Sequence, residues 1–246
     1  MTRLYRNAPI AEAVIDLKVE WPAGDSLESL DSLTSDLSLQ FPTSGPLQTL
    51  ELELQAAADA GPQVRTDHQL VGRRLDNAAR TRVLQVQRAG FTYSHLPPYT
   101  DWSTFRSETL PLWTRYVAVT RVTHATRIAV RVINRLALTG EVGDVSKYCA
   151  LGLNVPAIGF PKPGKYFLQA QIDAGADVPG CKVIVNSGAA VIEGGRYELL
   201  LDFDLYCEGR WDAAAPDIWS LLDEMSVLKD KIFEGCITDD LRSIIE

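Results

Sequence analysis

Arg127, Arg131 and Arg135 recur every fourth residue in RIAVRVINRL (127–136). Read as a strand, that spacing puts the three guanidinium groups on one face, because strand side chains alternate with a period of two. A guanidinium is a planar fork that engages a carboxylate or a phosphate through two hydrogen bonds. The other face carries Ile128, Val130, Val132, Asn134 and Leu136 and reads as mostly core. A complementary row stands later in the chain. In RYELLLDFDLYCEG (196–209), Glu198, Asp202, Asp204 and Glu208 lie opposite the apolar row Tyr197, Leu199, Leu201, Phe203, Leu205 and Cys207. Neighbouring strands with these rows would form cross-strand ion pairs. The first reading is a salt-bridged outer sheet face. The second is a recognition surface for an anionic small molecule, a peptide or a protein. The third is an enzyme site that uses Glu12, Asp202 or Asp204 with Arg131 or Arg135. Asp202 and Asp204 alone would give a metal ion an incomplete oxygen cage.

The candidate binding residues are Arg127, Arg131, Asn134, Arg135, Glu198, Asp202 and Asp204, with Tyr99 and Trp102 from an aromatic cluster. That cluster is Phe91, Tyr93, Tyr99, Trp102, Phe105, Trp113 and Tyr116. It reads as core beneath a long loop, or as an aromatic groove for a partner. Other motifs fail on chemical grounds. GFPKPGKY (159–166) has the glycine and lysine spacing of a phosphate-binding loop. Tyr166 stands where such a loop needs Ser or Thr for Mg²⁺, and Pro161 and Pro163 lack the N–H that would face phosphate. His68, His95 and His124 are scattered without metal-binding spacing, and no GxSxG elbow is present. His95, between aromatics, reads as structural. No catalytic residue, metal or cofactor is assigned.

The elements that must position these residues follow from periodicity. IAEAVIDLKVEW (10–21) alternates, with Ala13, Ile15 and Leu17 on one face and Glu12, Asp16 and Lys18 on the other, as a half-buried strand does. Leu27, Leu30, Leu33 and Leu37 recur at helical spacing over 25–41, with Asp25 or Ser26 as the cap. Strands are expected at 47–55, with Leu50, Leu52 and Leu54 inward, and at 68–76 and 81–88. Pro97 and Pro98 end the regular structure. A helix then starts after Asp101, and Pro111 predicts a kink or break in it. A Gly- and Pro-rich connection (140–165) precedes strands at 166–173, 182–193 and 196–209. A helix over 215–233 and a short one capped by Thr238 close the chain. The order predicts an α+β fold, a mainly antiparallel sheet with about three main helices. It reads as a single domain over 1–246, with 1–100 and 101–246 as two similar strand–helix–strands halves sharing one sheet.

The chain has 246 residues, a net charge of −8 and a pI near 5. That balance opposes binding to nucleic acid, whose phosphates select basic surfaces. No apolar run approaches the ~18–20 residues of a membrane span. MTRLYRNAPIAEA lacks the apolar region of a signal peptide, so a cytoplasmic protein is expected. Cys149, Cys181, Cys207 and Cys236 are widely spaced and read as buried free thiols. The resulting expectation is a non-enzymatic binding or protein-interaction module that forms homo-oligomers and regulates or neutralises a partner protein.

Four stretches, in order, carry a family likeness: NAPIAEAVIDLKVEW (7–21), FTYSHLPPYTDWSTF (91–105), RIAVRVINRL (127–136) and DKIFEGCITDDL (230–241). The chain resembles a sporadically distributed prokaryotic family of proteins of about this length and uncharacterised function. Its marks are an Asn-Pro-x-x-Glu opening strand, Tyr-x-x-Trp-x-x-Phe, an Arg-x-x-x-Arg-x-x-Asn-Arg strand and a C-terminal Phe-x-x-x-Ile-Thr. Here Ala8 intervenes between Asn7 and Pro9, and Val132 stands where the family has Tyr. The resemblance implies membership but brings no activity or catalytic residue.

Overall fold

The computed structural model describes residues 5–22, 27–57, 60–138, 144–152, 165–192 and 196–246, with the backbone alone over 50–57 and 60–68. Nine strands form one sheet, antiparallel at every pairing. They are β1 (Ile10–Val19), β2 (Thr43–Ala57), β3 (Ala60–Asp76), β4 (Arg82–Gln87), β5 (Gly90–His95), β6 (His124–Leu138), β7 (Tyr166–Asp173), β8 (Cys181–Val191) and β9 (Tyr197–Asp212). Among the described residues four α-helices accompany them: α1 (Glu28–Asp36), α2 (Trp102–Thr120), α3 (Asp217–Cys236) and α4 (Asp239–Ile245). The fold is α+β, as the strand patterns predict.

The sheet order is β2-β3-β4-β5-β1-β6-β9-β8-β7. It reads outward from the central β1–β6 pair in both directions. β1 is followed by a meander that starts at one edge and returns through β5 to pair with β1, then leads into α2. β6 is followed by a meander that starts at the other edge and returns through β9 to pair with β6, then leads into α3. The strand courses of the two parts thus correspond, and they share one continuous sheet.

One apolar cluster joins the inward face of the sheet to the helices. Ala13, Ile15 and Leu17 of β1 meet Leu30 and Leu33 of α1, Phe105, Trp113 and Tyr116 of α2, Ile218 and Leu222 of α3, and Leu241 of α4. Ile128, Val130, Val132 and Leu136 of β6, and Leu199, Leu201, Phe203 and Leu205 of β9, join the same core. The period-two apolar rows of β1, β6 and β9 therefore turn toward the helices, and their polar rows turn the other way.

Local details correct several expectations. The N-cap of α1 is Leu27, without a side-chain bond, while Asp25 and Ser26 lie outside the described residues. The side chains of Leu50, Leu52, Leu54 and His68 lie outside them too, as does 159–164 of the GFPKPGKY segment. The segment 90–95, expected only as the approach to Pro97, is a full strand. Asp101 caps α2 by accepting from the Thr104 N–H at 2.8 Å. α2 runs unbroken through Pro111. Pro111 and Ser107 both lie on its exposed side, where water can satisfy the carbonyl that the proline ring releases. Cys181 and Cys207 stand directly opposite across β8 and β9, Cα–Cα 4.3 Å, and are joined as a disulfide. Only Cys149 and Cys236 are free, and burial pushes the Cys236 thiol up to about 12.

Candidate functional site

β6 runs between β1 and β9, so its side chains reach both neighbours. Arg127, Arg131 and Arg135 do share one face, and the carboxylates of β9 stand beside them. Each of the first two arginines leans diagonally to a row further along the strand. Arg127 donates Nη1 to Asp16 Oδ2 and Nη2 to Asp204 Oδ2, both at 2.9 Å, so it clamps β1 to β9 across β6. Its guanidinium lies 4.6 Å from the centroid of the Tyr206 ring, within cation–π range. Asp16 also accepts from the Thr92 hydroxyl of β5 at 2.7 Å and from Lys18 Nζ at 3.0 Å. Arg131 holds Asp202 by two parallel bonds, Nε to Oδ1 at 2.8 Å and Nη2 to Oδ2 at 2.6 Å. Asn186 of β8 adds a third bond to Asp202 at 3.0 Å, and Gln169 of β7 donates to Asn186 at 2.8 Å.

Two transverse polar ladders result. One runs Thr92–Asp16–Arg127–Asp204 across β5, β1, β6 and β9. The other runs Arg131–Asp202–Asn186–Gln169 across β6, β9, β8 and β7. Fork geometry makes these bonds directional, and partial burial shields them from solvent. The Asp202 side chain is only 6% exposed, whereas Arg131 is 44% exposed. Hydrogen bonding to Asp202 raises the Arg131 pKa. Burial raises the Asp204 carboxyl above its ordinary value, against the opposing pull of Arg127 and Arg131.

Arg135 differs. Its Nε is 3.9 Å from Glu198 Oε1, and the two side chains are 61% and 29% exposed. A contact this long and wet contributes about 0–0.5 kcal/mol. Arg135→Ala is therefore expected to unfold in urea within about 0.5 kcal/mol of the parent. A larger loss would mean that Arg135 has a partner stronger than Glu198.

Three candidates stand apart from this face. Asn134 belongs to the opposite parity, is 3% exposed, and donates Nδ2 to the Leu201 carbonyl in the core. Tyr99 and Trp102 sit in the helix layer. Trp102 donates Nε1 to Asp223 of α3 at 2.7 Å, and Tyr99 packs on His95 and Phe105. The rest of their cluster is sealed: Phe91, Tyr93, Phe105, Trp113 and Tyr116 are at most 2% exposed. His95 is fully buried, with Nε2 3.1 Å from the Pro98 carbonyl, and burial lowers its pKa. Among the described residues no group of His, Cys, Asp and Glu is placed to hold a metal ion.

The polar face carries a depression of about 320 Å³. Its lining includes Val14 at the centre, with Glu12 and Asp16 on the same strand, Ser94 beside it on β5 and Arg131 beside it on β6. Val14 and Ser94 are short, and their neighbours are long, so a hollow forms where they meet. Gln85 and Asp204 stand at its two sides. Sequence reasoning overlooked Thr92, Ser94, Gln85 and Asn186. The signal for Thr92 and Ser94 was the alternation of FTYSH against Phe91 and Tyr93. A second depression, about 400 Å³, lies beside α3 and includes Trp211 and Glu224 in its lining.

No family model matches the chain, and no curated protein matches it. The stretches 7–21, 91–105, 127–136 and 230–241 fall on β1, the approach to α2, β6 and the α3–α4 junction. Among the described residues no helix is long and apolar enough to cross a membrane.

Proposed function

We propose that the chain is a non-enzymatic binding module that recognises a protein partner through the polar face of its sheet and regulates or neutralises that partner. The reading places it in the cytoplasm, keeps it in the prokaryotic family it resembles, and makes it a homo-oligomer without nucleic-acid or membrane partners. One observation supports it above others: the ladders fix side chains from six strands in one rigid polar surface, on the side away from the helices. Such preorganisation lowers the ordering cost of association. The Arg127 and Arg131 forks already hold carboxylates, which favours a partner that reads the whole surface over a small anion competing for them. Self-association has a candidate edge in β7, where Phe167 and Ile172 are 64% and 51% exposed.

Affinity capture from the native host, with three baits, tests this. The parent and Val227→Lys, altered at an exposed α3 position, are expected to enrich the same protein. Gln85→Trp, which fills the depression, is expected to lose it. A bare parent bait, or equal capture by all three, would overturn the reading. The alternative reading is an enzyme of unrecognised type using carboxylates and arginines of this face. It draws on Asp204, whose raised pKa in a depression beside Arg131 suits a proton donor.

A further inference from the structure

We infer that the depression over Val14 is a subsite for a single cationic group, an ammonium or guanidinium on a short aliphatic stem, with Glu12 as its counter-ion. This rests on the binding-module reading and names the chemistry its surface would select.

Making the ladders uses up most of the charged groups on this face. Arg127 is used by Asp16 and Asp204, and Arg131 by Asp202. Asp16 also takes Lys18 and Thr92. Glu12 has neither a hydrogen bond nor an ion pair with the described residues, although it lines the hollow. Counting Lys18, Asp202 and the Arg74–Asp76 pair beside Gln85, five carboxylates surround the hollow against four cations. The excess is one negative charge, and Glu12 is the acid among them with no bonded partner, since Arg74 and Arg131 act on it only from beyond ion-pair distance.

A second, independent feature points the same way. Ser94 is 2% exposed, lines the hollow, and its hydroxyl has no hydrogen-bond partner among the described residues. The Ser94 oxygen opens into the hollow, so its hydroxyl stands free to meet whatever group enters there. The Gln85 amide at the rim is also unpaired among the described residues. A cation with N–H donors satisfies all three: it neutralises Glu12, donates to Ser94 Oγ, and reaches the Gln85 carbonyl oxygen. Val14 and Ile133 supply apolar contact for a short stem. An anion, in contrast, would have to displace Asp202 or Asp204 from an arginine and then face Glu12. The volume suits one side chain or one small amine. The chemistry is the same whether the cation is a lysine or arginine of a partner protein or a free alkylamine.

The test is a titration of ¹⁵N-labelled full chain, followed by amide shifts. The probes are n-pentylammonium, butylguanidinium, and pentapeptides Gly-Gly-Lys-Gly-Gly and Gly-Gly-Arg-Gly-Gly, with acetate and inorganic phosphate as anionic controls. Saturable shifts centred on Val14, Ser94 and Arg131 are expected with the cations and not with the anions. Stronger binding of the peptides than of the free amines would assign the cation to a protein partner; the reverse order would assign it to a small amine. Glu12→Gln is expected to fold normally, since Glu12 has no bonded partner to lose, and to weaken cation binding about tenfold or more, the scale of one charge-assisted bond. Saturation by acetate or phosphate, or cation binding unchanged in Glu12→Gln, would overturn the inference. Capture of a partner through this face, equally strong with the Glu12→Gln bait, would sink the inference while leaving the binding-module reading in place.

Discussion

Arg127→Ala is expected to lower the unfolding free energy by about 3 kcal/mol, because it breaks a bridge between two largely buried carboxylates and strands one of them. Asp16 and Asp204 are 15% and 20% exposed, and they come from strands on either side of β6. Asp16 keeps Lys18 and Thr92 after the substitution, so Asp204 is the acid left without its hydrogen-bonding partner. The contact with Tyr206 is lost as well. Lysine at 127 should recover only part of the loss, since a compact ammonium cannot fork to carboxylates on separate strands. The pH dependence follows from Asp204. Its carboxyl is raised above the ordinary 3.8 by burial, with Asp16 adding to the rise and the two arginines opposing it. Between 3.8 and that raised value the folded protein holds a proton that the unfolded chain has released, so this group's contribution to stability falls as pH rises through the window. Removing Arg127 takes away one of the opposing charges and extends the window upward. The deficit of Arg127→Ala should thus grow from acid to neutral pH in urea titrations. A deficit that stays flat, or that grows on acidification, would show that the bridge does not set the energetics of this face.

The layout behind that prediction was largely legible in the sequence. Strict alternation in 127–136 and 197–207 determines which side chains share a face, and hydrogen-bonded neighbours then have little freedom. Hence the arginines and the β9 acids meet as expected. Which acid each arginine takes was not legible. Arg127 reaches Asp16 and Asp204, and not its direct neighbour Glu208, because the pairing depends on the β1–β6–β9 register. The hollow was not legible either. It arises because Val14 of β1 and Ser94 of β5 fall opposite one another, a coincidence between strands about 80 residues apart in the chain. Asn134 shows the limit from the other side. Polar type suggested a binding role, yet its parity assigns it to the core, where the Leu201 carbonyl satisfies it. Trp102 makes a related point from the helix layer. An aromatic before a helix looks free to bind, but here its N–H ties α2 to Asp223 of α3. The cysteine pair needed the β8–β9 register before it could be read at all.

Gly90→Ala is expected to be at least as damaging, although glycine contributes no side chain to the site. Gly90 opens β5 at φ +154°, paired with Lys18 of β1 on one side and with Gln87 of β4 on the other. A Cβ added there would lie 2.2 Å from the Leu17 carbonyl oxygen and 2.9 Å from the Lys18 Cα. Both obstacles are backbone, and Leu17 is fully buried, so neither can retreat without moving β1 in its register. Strain at the special backbone angle and the clash act together, for a loss of about 3 kcal/mol or more. Gly45→Ala is the matched control. Its Cβ would meet nothing within 4 Å, so stability should change by no more than about 0.5 kcal/mol. The consequence for function follows from position. Thr92, which anchors Asp16 at 2.7 Å, is two residues beyond Gly90, and Ser94 is two further on. Pushing β5 away from β1 at this end would loosen the Thr92–Asp16–Arg127 ladder and widen the hollow above Val14. Gly90→Ala should therefore show faster amide exchange at Thr92 and Ser94 and weaker pentylammonium binding, along with its lower urea midpoint. A Gly90→Ala protein that unfolds like the parent would mean β1 and β5 are not held in the close approach on which the polar face is built.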